Sequence, residues 1–151
     1  MPKRFRFRYQ TVLEVRERRQ KQEEEALTRL LGEQSRAERV LAKLKEEEAT
    51  RKGEFVALQG MVDLDTLVLY QNYFGEIERR VRVQQDEVDT AIARVNNQRD
   101  LLAEAMREAE VMKKLKERDE KAWRDEIEQA EAALIDELAM GRHVRKSDGS
   151  P

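Results

Sequence analysis

The chain of 151 residues has no cysteine, and its only prolines are Pro2 and Pro151. Without thiols there is neither a disulfide framework nor a thiolate metal site, which fits a reducing compartment. Without internal proline, no position between the ends carries that residue's helix-breaking penalty of roughly 3 kcal/mol. Aromatics amount to 5% of residues and His143 is the only histidine. No apolar run reaches the ~18 residues of a bilayer span, and the basic N-terminal stretch is not followed by the apolar segment of a secretory signal. A soluble cytoplasmic protein is expected.

What the chain has instead is charge and helix-forming residues. Fifteen Ala, 15 Leu, 23 Glu and 30 Lys plus Arg make up 83 of the 151 residues, the signature of a coiled coil or long helix. With 41% charged residues and a mean hydropathy of -0.88, apolar material is too sparse for a thick core, so burial has to follow a narrow seam. The net charge of -2 argues against a general polyanion binder. It conceals a local excess, since residues 1–21 hold eight basic and two acidic side chains.

The periodicity places that seam. From Leu13 an apolar stripe passes through Leu27, Leu30, Ala37, Leu41, Leu44, Phe55 and Leu58, spaced by threes, fours and sevens. Gln20, Glu23, Gln34, Glu48 and Arg51 fall on the same stripe and argue against a strong autonomous zipper. The Thr11–Glu14 spacing matches a capping box and puts the first helix start there. Around Gly60 and Asp63 the periodicity lapses, with a glycine to end one helix and an aspartate to start another. A fuller stripe then runs through Leu67, Tyr70, Phe74, Ile77, Val81, Val88, Ile92, Val95, Leu102, Met106 and Ala109, and on through Leu115, Trp123, Ile127, Ala130, Leu134 and Leu138.

The expectation is an all-α fold: a long antiparallel two-helix coiled coil in one domain over 1–140. Helix 1 covers about 11–59, the turn about 60–65 and helix 2 about 66–139, with a flexible basic tail at 141–151. Pairing about the turn sets Leu44 opposite Val81 and Leu30 opposite Val95. At 1.5 Å per residue the helices measure about 70 Å and about 110 Å, a rod whose second helix overhangs the first. Glu-to-basic pairs four apart, Glu76/Arg80 and Glu120/Arg124 among them, add about 0.2–0.5 kcal/mol each on exposed faces.

Chemistry is searched for and not found. Gly32, Gly53 and Gly75 match no phosphate loop; each is a weak point in helix worth about 1 kcal/mol against alanine. His143 has no partner for base or metal work. The runs Glu23–Glu25 and Glu46–Glu48 splay around a helix and cannot converge on one cation. No enzyme, cofactor or metal site is expected.

Two groups of aromatics stand out. In KRFRFRYQ, Phe5, Phe7 and Tyr9 alternate with Arg4, Arg6 and Arg8. The pairing register brings these aromatics toward Trp123, as a structural clasp of the open end. Binding to a membrane surface, a partner or nucleic acid is the other reading, the last least favoured because no second basic-aromatic element extends it. Near the closed tip, Tyr70, Tyr73, Phe74 and Ile77 crowd four large side chains into two turns. Not all of them can face Phe55 and Leu58, so an exposed aromatic edge is a candidate partner-binding anchor. Packing with a hydroxyl reaching water is the plainer alternative.

Four segments occur in an order that resembles the FliJ family of the flagellar type III export apparatus: FRFRYQTVLEVRE, LYQNYFGEIERRV, MKKLKERDEKAW and LIDELAMGR. They are spread over nearly the whole chain, from Phe5 to Arg142. The resemblance implies a non-catalytic, stalk-like coiled coil, peripheral to the cytoplasmic face of the membrane through its partners. Those partners are the hexameric export ATPase FliI, the export gate protein FlhA and export chaperones. No nucleic acid partner is expected, and the isolated protein is expected to be a monomer because one chain can satisfy its own seam. The alternative is a general coiled-coil scaffold, or a nucleic-acid-associated protein using the basic N-terminus.

Overall fold

A computed structural model describes residues 4–148, which form two helices, α1 (Gln10–Ala57) and α2 (Leu64–Asp148), and no strand among the described residues. They are joined as a helical hairpin with the second helix longer. Packing divides the described residues into two compact units, 20–104 on the one hand and 4–19 with 105–148 on the other.

In the unit Gln20–Glu104 the helices run antiparallel: Phe55 meets Tyr70, Glu47 meets Tyr73, Ala37 meets Gln84 and Glu23 meets Gln98. Leu41, Ile77, Val88 and Val95 are buried, with Leu27, Leu30, Leu44 and Val81 half-buried beside them. Each fully buried aliphatic side chain contributes about 1.5–3 kcal/mol. Along α2 the buried positions 77, 88, 95 and 98, with the half-buried 81, 84, 91 and 102 between them, follow the alternating fours and threes of a heptad.

Two of those steps are glutamines. Gln84 donates Nε2 to the Ala37 carbonyl at 3.0 Å, and the buried Gln98 donates to the Glu23 carbonyl at 3.2 Å and to the Glu23 carboxylate. A buried amide without a partner is costly, so each bond favours one axial alignment of the helices over neighbouring ones.

The turn has two backbone residues at positive φ, Gln59 (51°) and Gly60 (78°). Gly60 bears no Cβ to resist that conformation, and the pair ends α1 at Ala57, short of the expected 59. Asp63 then accepts the Thr66 N–H on Oδ1 at 2.8 Å while its carbonyl accepts the Leu67 N–H. This N-cap starts α2 at Leu64, earlier than the expected 66.

In the other unit Phe7, Leu13, Ala105 and Ala109 are buried. Glu108 receives both Arg16 (2.8 Å) and Arg19 (3.2 Å) from α1. Helix α1 begins at Gln10, so Thr11 lies inside it rather than capping it. The Tyr9 carbonyl accepts the Leu13 N–H, and Glu14, expected to close a capping box, takes the Gln10 amide at 3.2 Å. Met106, expected on the seam, is 48% exposed, because the heptad step of three from residue 102 lands on Ala105. Residues 128–147 are exposed throughout, Leu134 and Leu138 included. Helix α2 continues through 141–148, so that part of the expected tail is helical; residues 149–151 lie outside the described residues.

Candidate partner-binding surfaces

The aromatic group near the turn is assembled by helical spacing. Tyr70 and Phe74, four apart, share a face of α2 and meet Phe55 of α1 at 5.0 and 5.9 Å between ring centroids. Ile77 is buried behind them at 1% exposure, so it has no surface to offer a partner. Tyr73 is half-buried, edge-on to Phe74 at 5.6 Å, and its hydroxyl donates to Glu47 Oε1 at 2.8 Å. Lost hydration, followed by the Glu47 carboxylate, pushes its pKa above the ordinary tyrosine value, against a smaller opposing pull from Arg51. Arg51 is itself held above its usual pKa chiefly by Glu54, 3.0 Å away. Arg51, Thr66, Leu69, Tyr70 and Tyr73 line one shallow groove.

The aromatic edge is therefore only partly free. Phe55, Tyr70 and Phe74 are half-buried against one another, Ile77 is buried, and Tyr73 is tied to α1. The side chains most available around this end are aliphatic: Val56, Met61, Leu64 and Leu69, at 71%, 87%, 73% and 68% exposure. They fall off both apolar stripes of the sequence, so heptad spacing does not mark them.

At the N-terminal stretch, Phe5 packs on Trp123 with centroids 5.8 Å apart, and Phe7 is edge-on to Tyr9 at 5.9 Å. Phe7 is buried, while Arg4, Arg6 and Arg8 are exposed and Arg8 lies over the Tyr9 ring. Phe5 and Phe7 are used within the protein, and what remains outward is the charge of Arg4, Arg6 and Arg8 together with the exposed Tyr9 ring. Lys116 and Glu120 border the same concavity as Phe5 and Trp123, so its rim holds both signs.

No group of three or more His, Cys, Asp or Glu among the described residues is placed to hold a metal ion. Among the same residues no helix is long and apolar enough to cross a membrane.

These features define a class: a two-helix coiled-coil hairpin, extensively charged on its surface, with large apolar side chains exposed near the turn and on the far part of α2 as well as at scattered positions such as Val15 and Val111. A sequence model of the family described as flagellar FliJ protein matches residues 5–148, and the chain belongs to the FliJ family. It is thereby a component of the flagellar protein export apparatus. No curated protein and no solved structure matches the chain.

Proposed function

We propose that the protein is a non-catalytic, stalk-like part of the export apparatus that engages the hexameric export ATPase FliI and links it to the gate protein FlhA and to export chaperones. It works at the cytoplasmic face of the membrane, held there by its partners. The observation that carries this reading is family membership across residues 5–148. Further support comes from the distribution of exposed apolar side chains, which suits a protein that acts by contact. Val56, Met61, Leu64 and Leu69 lie near the turn, and Leu134, Ile135 and Leu138 lie on the far part of α2.

The test is to add the purified protein to the cognate export ATPase and follow assembly by light scattering and turnover by phosphate release. A rise in the hexamer fraction and in turnover is expected. No change in either, with an ATPase active by itself, overturns the stalk reading.

A further inference from the structure

We propose that residues 128–147 of α2 form a self-association surface that pairs, antiparallel, with the same stretch of a second copy of this chain. The stretch is helical and exposed at every position, with Leu134 at 56% and Leu138 at 58% exposure. Ile127, Leu134 and Leu138 fall at intervals of seven and four, continuing the spacing that buries α2 earlier in the chain. An apolar stripe at this spacing is the kind that a partner helix covers.

Charge specifies the occupant. Residues 125–137 contain six acidic side chains and no basic one, whereas 138–147 contain three basic and no acidic. Such a helix is self-complementary in one orientation only. Parallel pairing sets acid on acid and base on base, at a cost in both halves. Antiparallel pairing about Asp136 sets Leu134 against Leu138 of the second copy and brings Glu128 and Glu131 within reach of its Arg142 and Arg145. With few large apolar residues in the stripe, the association is weak and reversible, and salt loosens it by screening the charges. It also conflicts with the monomer expected from a seam satisfied within one chain, because this stretch lies beyond that seam. A partner that takes this end of α2 competes with self-pairing.

The experiment is sedimentation equilibrium of the full chain over a range of concentrations, at low and at high salt. A concentration-dependent dimer is expected, weakened by salt and abolished by Leu134→Glu with Leu138→Glu. Two charge-reversed variants test the geometry: Arg142→Glu/Arg145→Glu and Glu128→Arg/Glu131→Arg. Each is expected to be monomeric alone and to form a heterodimer when the two are mixed, with helicity by circular dichroism unchanged. A chain that stays monomeric up to millimolar concentration overturns the proposal. So does a dimer that persists in both variants separately, or a mixture that fails to associate.

Discussion

Tyr73 and Asp63 show how much one polar atom decides in a thin two-helix structure. The Tyr73 hydroxyl reaches Glu47, so the residue contributes to holding α1 against α2 as well as presenting an aromatic edge. Tyr73→Phe, which removes only that hydrogen bond, is expected to lower the melting temperature and leave partner affinity intact. Tyr73→Ala, assayed well below its melting temperature, is expected to retain helicity and lose at least about thirtyfold in affinity for the ATPase or gate, the scale of an aromatic anchor. Unchanged affinity at low temperature together with lost stability assigns Tyr73 to packing alone. Asp63 acts through its cap: hydrogen bonds from Thr66 hold its carboxyl below the usual pKa. A carboxyl depressed in the folded state adds stability above its unfolded pKa, and loses it as pH falls through the folded value. Asp63→Asn, which keeps an acceptor without the charge, is therefore expected to flatten the acid limb of the stability curve, measured by thermal melts across the acidic range.

At the scale of the element, glycine has opposite meanings in the turn and in the helix. Gly60 is at φ 78°, so Gly60→Ala is expected to cost about 1–2 kcal/mol in urea unfolding, the penalty for a side chain in the left-handed region. Gly75, by contrast, is inside continuous α2, and nothing approaches within 4 Å of where a Cβ would project. Gly75→Ala is expected to stabilise by about 0.5–1 kcal/mol through restricted backbone freedom. A loss at Gly75 in the same assay shows that the glycine is needed for a local bend. Helix pairing has its own economy: of the expected Glu-to-basic pairs, Glu76–Arg80 and Glu120–Arg124 form at 3.3 and 3.0 Å. Glu47 bonds across to Tyr73, and Arg51 turns to Glu54. The Tyr73 hydroxyl, a donor on the facing helix, takes the Glu47 carboxylate that a spacing of four would pair with Arg51.

For the whole molecule, the near balance of 30 basic and 32 acidic residues makes contacts specific to particular patches rather than a consequence of net charge. The N-terminal stretch is one such place, where Phe5 lies on Trp123 and Phe7 is buried. Trp123→Ala removes the ring that Phe5 covers. It is expected to speed amide hydrogen exchange in residues 4–19 and to weaken stimulation of the export ATPase. Exchange rates that stay at the wild-type level show that residues 4–9 are held by other contacts and that the clasp has no structural weight.

That this chain is helical, reverses once near Gly60 and buries a seam rather than a core is legible in its residues alone. Each follows from local physics: no internal proline, a period of threes and fours, and a glycine–aspartate break. The membership of Phe55, Ile77, Val88 and Val95 in that seam was equally legible, because apolar side chains at heptad spacing announce themselves. Which polar residues join them depends on how the two helices meet. Gln84 and Gln98 stand outside the apolar stripe and take their place in the seam through the carbonyls and the carboxylate of α1 opposite them. Tertiary packing also put Ala105 in the seam and left Met106 outside, and left Leu134 and Leu138 exposed although their spacing matches the buried residues. Burial needs a partner surface, and periodicity along one helix states where a partner could lie without supplying it.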